Sequence, residues 1–326
     1  MRTLSGAATG EAAGTVPGEV AGEVAGRPAV DPGRVEILPG RVAQVGTVPV
    51  RRTLPTRGRR TVGAWCFVDH MGPTTVDSGP GFGVPPHPHM GLQTVTWLFA
   101  GTGLHRDSLG SEQVVRPGQL SLMTAGSGIA HSEEDPDGPA GPAGELHGMQ
   151  LWVAQPSSTR HGSPAFEHHG ELPQVEVGHG TATVFVGEFA GAASPARRDT
   201  DHLGVDLDLR PGTTVLPLLP GHEYAVVVAD GHPLVSGAPV GPGGLAYLRP
   251  GSDELELTCA APARALLIGG APFDEELAMW WNFVARTREE LADAYRDWAA
   301  GDERFGPVAS ALDRAVVGPP PWLRAG

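Results

Sequence analysis

Pro85-Pro86-His87-Pro88-His89-Met90-Gly91, continued by Ala130-His131-Ser132-Glu133-Glu134, is the stretch that decides how this chain is read. Its first segment holds two histidines one residue apart. Its second holds a histidine and a glutamate at the same spacing. Between them, apolar runs alternate with Gly/Pro turns, the pattern of antiparallel strands. In an extended strand, residues i and i+2 share a face. His87 therefore projects with His89, and His131 with Glu133. A barrel that lays the two segments side by side brings three imidazoles and one carboxylate to one point. That mixed nitrogen and oxygen set suits a first-row divalent metal. Pro88 stiffens the first pair, and Ala125-Gly126-Ser127-Gly128 lets the backbone turn sharply before the second. Other histidines, such as His168, His169, His179, His202 and His232, read as structural or solvated.

Working outward, strands are expected at Val35–Leu38, Arg41–Val45, Val62–His70, Leu92–Phe99, Leu104–Ser108, Leu120–Met123 and Leu146–Val153. Residues 156–175 are rich in Pro, Ser, His and Glu and read as a connector. A second set of strands is expected at Thr183–Val186, Leu203–Leu209, Thr213–Leu216, Tyr224–Val228, Gly244–Leu248, Leu255–Thr258 and Ala265–Ile268. A faint repeat links the halves. Val95 leads through Pro117-Gly118-Gln119-Leu120 to Met123, and Ala225 leads through Pro242-Gly243-Gly244-Leu245 to Leu248. The second copy has no paired ligands. In Gly221-His222-Glu223 the adjacent side chains point to opposite faces. From Glu275 to Ala300, Leu277, Trp280, Trp281, Val284, Leu291, Tyr295 and Trp298 recur at roughly helical spacing. Thr287 with Glu290 reads as a helix start, and Gly301 as its stop.

The 326 residues suffice for two domains. Gly and Pro number 47 and 32, but they punctuate short strands and do not form low-complexity tracts. Residues 1–33, with Gly-Glu-Val-Ala-Gly at 18–22 echoed at 22–26, read as a disordered tail. The net charge of −14 argues against a phosphate-tracking surface, despite Arg51, Arg52, Arg57, Arg59 and Arg60, so no direct nucleic-acid partner is expected. Two distant cysteines, Cys66 and Cys259, fit a reducing compartment. The start lacks a signal peptide's apolar stretch, and no apolar run reaches the roughly 18 residues of a membrane span. A cytoplasmic location is expected.

The stretch 85–134 resembles the pirin family of the bicupin superfamily. Pro86-His87-Pro88-His89, Gly91, Thr94-Val95, His105, Asp107-Ser108, Gly118 and Met123–Ile129 with His131 and Glu133 carry the resemblance, as does Leu151-Trp152-Val153. It extends over residues 35–310 or so. It implies an all-β fold of two jelly-roll-like cupin β-barrels packed together, with a C-terminal helix. The segments are then 34–155 for the metal-binding barrel, 156–180 for the connector, 181–272 for a barrel without metal, and 273–326 for the helix and tail. The metal is implied to be iron, as Fe(II), on His87, His89, His131 and Glu133. The ligand types also suit Mn, Co, Ni, Cu and Zn. No cysteine lies near, which argues against thiolate zinc. The chain departs from many relatives at Met90, where they have arginine, and at Gln93, where they have glutamate.

Three functions fit. One is a quercetinase-type dioxygenase that opens a flavonol-like ring with dioxygen, Glu133 serving as catalytic base. Another is a redox-sensing regulator meeting a protein partner through an iron-dependent surface. The third is a metal-stabilised bicupin without turnover. Phe82, Met123, Met149 and Trp152 are candidates for an apolar mouth. Gln93, Thr124, His105 and Asp107 are candidates to orient the ligands.

Overall fold

The computed structural model describes residues 35–45, 48–76, 83–136 and 144–323. The expected disordered tail and Phe82 lie outside the described residues. The rest is all-β with one α-helix, and it contains two double-sheet units built on the same plan. In the first, a seven-stranded antiparallel sheet runs in the order Ala165–His169, Leu120–Thr124, Leu92–Ala100, Gly144–Ala154, Trp65–Val76, Val48–Leu54, Arg41–Val45. A four-stranded sheet joins Val84–His89, Ile129–Glu134, Gly103–Asp107 and Glu112–Val115. In the second unit the seven strands are Val35–Leu38, Leu245–Leu248, Glu223–Asp230, Ala263–Gly270, His202–Leu209, Gly180–Val186 and Gln174–Val177. Its smaller sheet joins Gly212–Pro217, Glu254–Cys259, Leu234–Val235 and Ala238–Pro239.

The faint repeat marks equivalent strands. Leu92–Ala100 pairs with Leu120–Thr124 as Glu223–Asp230 pairs with Leu245–Leu248. Gly118 and Gly243 take the same left-handed φ of 72° in the turns that precede the second strand of each pair, a conformation in which a side chain is strained. The edge strands are exchanged in sequence. Val35–Leu38 precedes the first unit yet pairs in the second unit's sheet. Ala165–His169, inside the stretch read as a connector, completes the first.

The two large sheets pack against each other. Trp65, Val95, Trp97, Leu151, Phe185, Ala225, Val227, Leu266 and Ile268 form one cluster between them. Val184, Val205, Val226 and Leu267 point the other way, into the second unit's own core. Both faces of these strands are buried, so the run Tyr224–Val228 is apolar throughout and does not alternate. Polar anchors fix the contact. Trp65 Nε1 donates to Leu203 O at 3.0 Å, and Trp97 Nε1 to Asp206 Oδ2 at 3.0 Å. Glu223 accepts from Gly63 N at 2.5 Å and from Tyr247 Oη at 2.6 Å, which gives that second-half glutamate a structural task.

The expectation of helical spacing over Glu275–Ala300 holds only from Arg288. The helix Arg288–Ala300 is capped by Thr287, whose hydroxyl accepts from Glu290 N, and ends at Gly301 with φ 75°. Upstream, Ala278–Trp280 and Phe283–Ala285 form a hairpin. Trp281 takes a φ of 52° in its two-residue turn, as short hairpin loops require. Aromatic residues three and four apart suit a helix stripe and this hairpin equally, because Trp280 and Phe283 are cross-strand partners. The hairpin and helix return to the first unit. Met90 bridges to Phe283, Ala130 N donates to Phe305 O, and Ala315 N donates to Pro86 O. Cys66 and Cys259 are free and buried. Among the described residues no helix is long and apolar enough to cross a membrane.

Candidate metal centre

Strand pairing brings the two motifs together. Val84–His89 lies antiparallel to Ile129–Glu134, with His87 opposite His131 and His89 opposite Ile129. Alternation puts His87, His89 and His131 on one face. A register shift follows His131, so that Glu133 lies opposite Val84. The imidazole centroids of His87, His89 and His131 lie 4.4–5.0 Å apart. One ring nitrogen from each falls within 4.8 Å of the others, the spacing of ligands around one cation. Glu133 Oε1 lies 3.6 Å from His131 Nδ1.

The surroundings decide which nitrogens are bare. His87 Nδ1 donates to Pro85 O at 2.9 Å, and His89 Nδ1 donates to Asn282 O at 3.0 Å. Each ring is thereby left with a lone pair on Nε2. His131 Nε2 and Glu133 Oε2 are buried with no hydrogen-bond partner. An unpartnered polar atom is costly in a dry interior, and a cation would satisfy both. The donor set therefore fits a divalent metal.

Burial sets the electrostatics. It drives the His87 imidazolium down to about 4, and His89 and His131 well below their ordinary value. It pushes the Glu133 carboxyl up to about 8. The neutral imidazole is the form that binds metal. The carboxylate is the form that burial disfavours, and a positive ion beside it reverses the balance.

Of the four orienting candidates, His105 contacts the histidine cluster and Asp107 reaches it through His105. His105 Nδ1 lies 3.4 Å from His131 Nδ1, and His105 Nε2 lies 3.1 Å from Asp107 Oδ2. Burial alone would raise Asp107, but hydrogen bonds from His105 and Ser111 outweigh it and hold the carboxyl below its ordinary value. Gln93 and Thr124 bond to each other at 2.9 Å.

The cluster opens into a cleft of about 540 Å³. His87, His89, Glu133 and Trp152 line it. Met123 and Met149 do not: Met149 packs between the large sheets and Met123 with Ala125 and Ile129. Phe67 stacks on Trp152 at 3.9 Å, the Arg52 guanidinium lies 4.4 Å over Phe67, and Asp69 takes Arg52 in two bonds of 2.6 and 2.7 Å. Trp152 meets His89 edge-on at 5.1 Å. Trp281, Asn282 and Ala315 close the other side. Sequence reasoning missed Phe67, Arg52, Trp281 and Asn282, and no short-range signal marks them. Asn282 stands 193 residues from the histidine it holds.

In the second unit, the strands in the equivalent places are Gly212–Pro217 and Glu254–Cys259. They send Leu216, Leu255 and Leu257 into an apolar core. Among the described residues, the three histidines are the one cluster able to hold an ion.

Known proteins agree with this architecture. Residues 47–153 match the pirin family model, and residues 204–306 match the pirin C-terminal cupin domain. A Pseudomonas aeruginosa protein carrying the provisional name quercetin 2,3-dioxygenase is 45% identical over 286 residues, 86% of this chain and 89% of its own. A pirin-like protein of Caulobacter vibrioides is 36% identical over 272 residues, 81% of this chain and 93% of its own. The crystal structure of quercetin 2,3-dioxygenase from Acinetobacter baumannii superposes with a TM-score of 0.83 at 42% identity, covering 88% of this chain and 96% of that one. Each half matches its own domain model, and full-length relatives align across both, so this chain belongs to the pirin family.

Proposed function

We propose that this pirin-family protein is a metal-dependent dioxygenase of the quercetinase type, opening a flavonol-like ring with dioxygen. The observation that carries the proposal is the pair of buried, unpartnered polar atoms, His131 Nε2 and Glu133 Oε2, beside two histidines whose Nδ1 atoms are already engaged. The similarity to proteins named quercetin 2,3-dioxygenase supports it. In this reading His87, His89, His131 and Glu133 hold the ion, with Fe(II) our assignment among the first-row divalent metals. The bound ion supplies Lewis-acid polarisation of an oxygen donor and a site for redox chemistry.

The chain's own residues bind and orient the substrate. The Phe67–Trp152 stack offers a flat apolar wall to a planar aromatic ring. The cleft volume of about 540 Å³ lies in the range of small-molecule sites. Glu133 lines the same cleft, where its ionised carboxylate is placed to take a proton from a phenolic hydroxyl. The hairpin turn Trp281–Asn282 shields the His89 side from water. Two free, buried cysteines fit a cytoplasmic setting.

The test is direct. Protein loaded anaerobically with Fe(II) receives quercetin and oxygen, and loss of the flavonol absorbance is followed. His87→Ala and Glu133→Ala should each abolish turnover and lower bound metal. Turnover surviving in both variants places the active site elsewhere. Absence of turnover with every first-row divalent metal removes the flavonol reading.

A further inference from the structure

We infer that Asp107 and His105 form a tautomer relay that keeps His131 Nε2 bare, and that Asp107 acts on the metal site as a positioning residue through two successive imidazole protons. The inference rests on the reading of His131 as a metal ligand.

The chain of assignments starts at the backbone. Asp107 Oδ1 accepts from Leu109 N at 2.9 Å and from Ser111 N at 3.0 Å, so this oxygen is pinned by two amides. Its other oxygen, Oδ2, faces His105 Nε2 at 3.1 Å. An ionised carboxylate only accepts, so His105 carries its proton on Nε2. A neutral imidazole then has its lone pair on Nδ1. That atom faces His131 Nδ1 at 3.4 Å, so His131 donates from Nδ1 and its own lone pair lies on Nε2. His131 Nε2 is the buried nitrogen that has no partner.

Packing holds the relay in place. His105 is 5% exposed and stacks on Phe166 at 4.2 Å with the planes 9° apart. Phe166 belongs to Ala165–His169, the edge strand that the chain adds to the first sheet after leaving it. Strand register sets the spacing. His131 lies opposite Asp107, and Glu133 opposite His105, across Gly103–Asp107. Glu133 Oε1 lies 3.6 Å from His131 Nδ1, beyond hydrogen-bond distance, so the Nδ1–H of His131 donates to His105 and the carboxylate is left for the cation.

This logic predicts an order of variants that size and packing do not. Asp107→Asn is nearly isosteric. Its amide oxygen must stay on the two backbone donors, which turns its NH2 toward His105 Nε2. His105 must then accept at Nε2 and carry its proton on Nδ1. His131 is forced to accept at Nδ1 and to carry its proton on Nε2, where the metal binds. His105→Phe keeps the stack on Phe166 but removes the coupling, so His131 is free to take either tautomer.

The experiment has two readouts. Histidine tautomers are read from the nitrogen shifts of 15N-labelled metal-free protein. Affinity for nickel(II) is read by calorimetry. Wild type should show the Nδ1–H tautomer at His131, and Asp107→Asn the Nε2–H tautomer with a 10- to 100-fold loss of affinity, the usual range for partners that orient a ligand. His105→Phe should lose less than Asp107→Asn. The double variant should return to the His105→Phe level, because phenylalanine cannot relay the inverted proton. An unchanged His131 tautomer in Asp107→Asn overturns the relay, as does a double variant no better than Asp107→Asn alone. Failure of flavonol turnover leaves both readouts standing. A wild type that binds no nickel refutes the ligand reading instead, and the nitrogen shifts still decide the relay.

Discussion

Glu133→Gln in metal-free protein tests the electrostatics of the cluster without any turnover. Burial pushes the Glu133 carboxyl up to about 8 from 4.5. In the unfolded chain the group titrates at its ordinary value. Between the two values the folded protein keeps a proton that the unfolded chain has released. Stability from that proton is fully present below the unfolded value and is lost as pH rises toward and through 8. One pH unit is worth about 1.4 kcal/mol in such a window, so the Glu133 contribution should fall by about 2 kcal/mol between about pH 6.5 and about pH 8. The cluster histidines act elsewhere. Burial lowers them, His87 to about 4, so their contribution is lost as pH falls through 6.5 toward 4, and that loss is common to wild type and Glu133→Gln. Glutamine has the same shape and no charge to bury. Its advantage over wild type should therefore grow by about 2 kcal/mol between the two conditions, read from urea midpoints with a chelator present. A difference between the two proteins that is the same at both pH values would refute the burial argument. Added metal should invert the ranking, because an ion that binds only the folded state stabilises the protein that holds it tighter.

Two further outcomes concern the frame around the site. Asp206 is 1% exposed and accepts from Trp97 Nε1 and from Arg264 at 2.5 and 2.7 Å. Asp206→Ala strands a buried indole N–H and a guanidinium that still reaches water, so a loss of about 3 kcal/mol is expected in chemical denaturation, and one below about 1 kcal/mol would show that the pair is idle. Gly91 has a φ of 69°, and a Cβ there meets the carbonyl oxygen of Val284. Gly91→Ala should loosen the C-terminal hairpin, cost about 1–2 kcal/mol, and speed proteolysis within 274–323 while leaving cleavage elsewhere unchanged.

The candidate site was legible in the sequence because its logic is local. A strand repeats every two residues, so the spacing alone of His87 with His89, and of His131 with Glu133, announces a shared face. His105 and Asp107 obey the same rule from the neighbouring strand. The two-unit plan was legible through turn chemistry, since Pro117-Gly118 and Pro242-Gly243 demand the same left-handed glycine. Of the cleft walls only Trp152 was legible. Phe67 alternates in an ordinary strand, and Trp281 and Asn282 arrive from the far end of the chain. The error over Glu275–Ala300 has a related cause. A cluster of aromatics records that something is buried against them, and it does not record whether a helix or a hairpin does the burying.

The asymmetry between the units follows from what each pair of equivalent strands buries. In the second unit, Leu216, Leu255 and Leu257 complete an apolar core between two sheets. In the first, the same places carry polar groups that an apolar core cannot satisfy. Two devices deal with them. Backbone carbonyls of Pro85 and Asn282 and the His105 ring engage the Nδ1 atoms, and the bare acceptors are gathered at one point. One of those carbonyls comes from the C-terminal hairpin, whose Phe283 also packs against Met90 and Ala130. The hairpin is thus part of the site's construction as well as its wall. Loosening it exposes the cleft and releases the His89 ring from its tautomer in the same event, so the integrity of the site depends on a segment nearly two hundred residues away from His89.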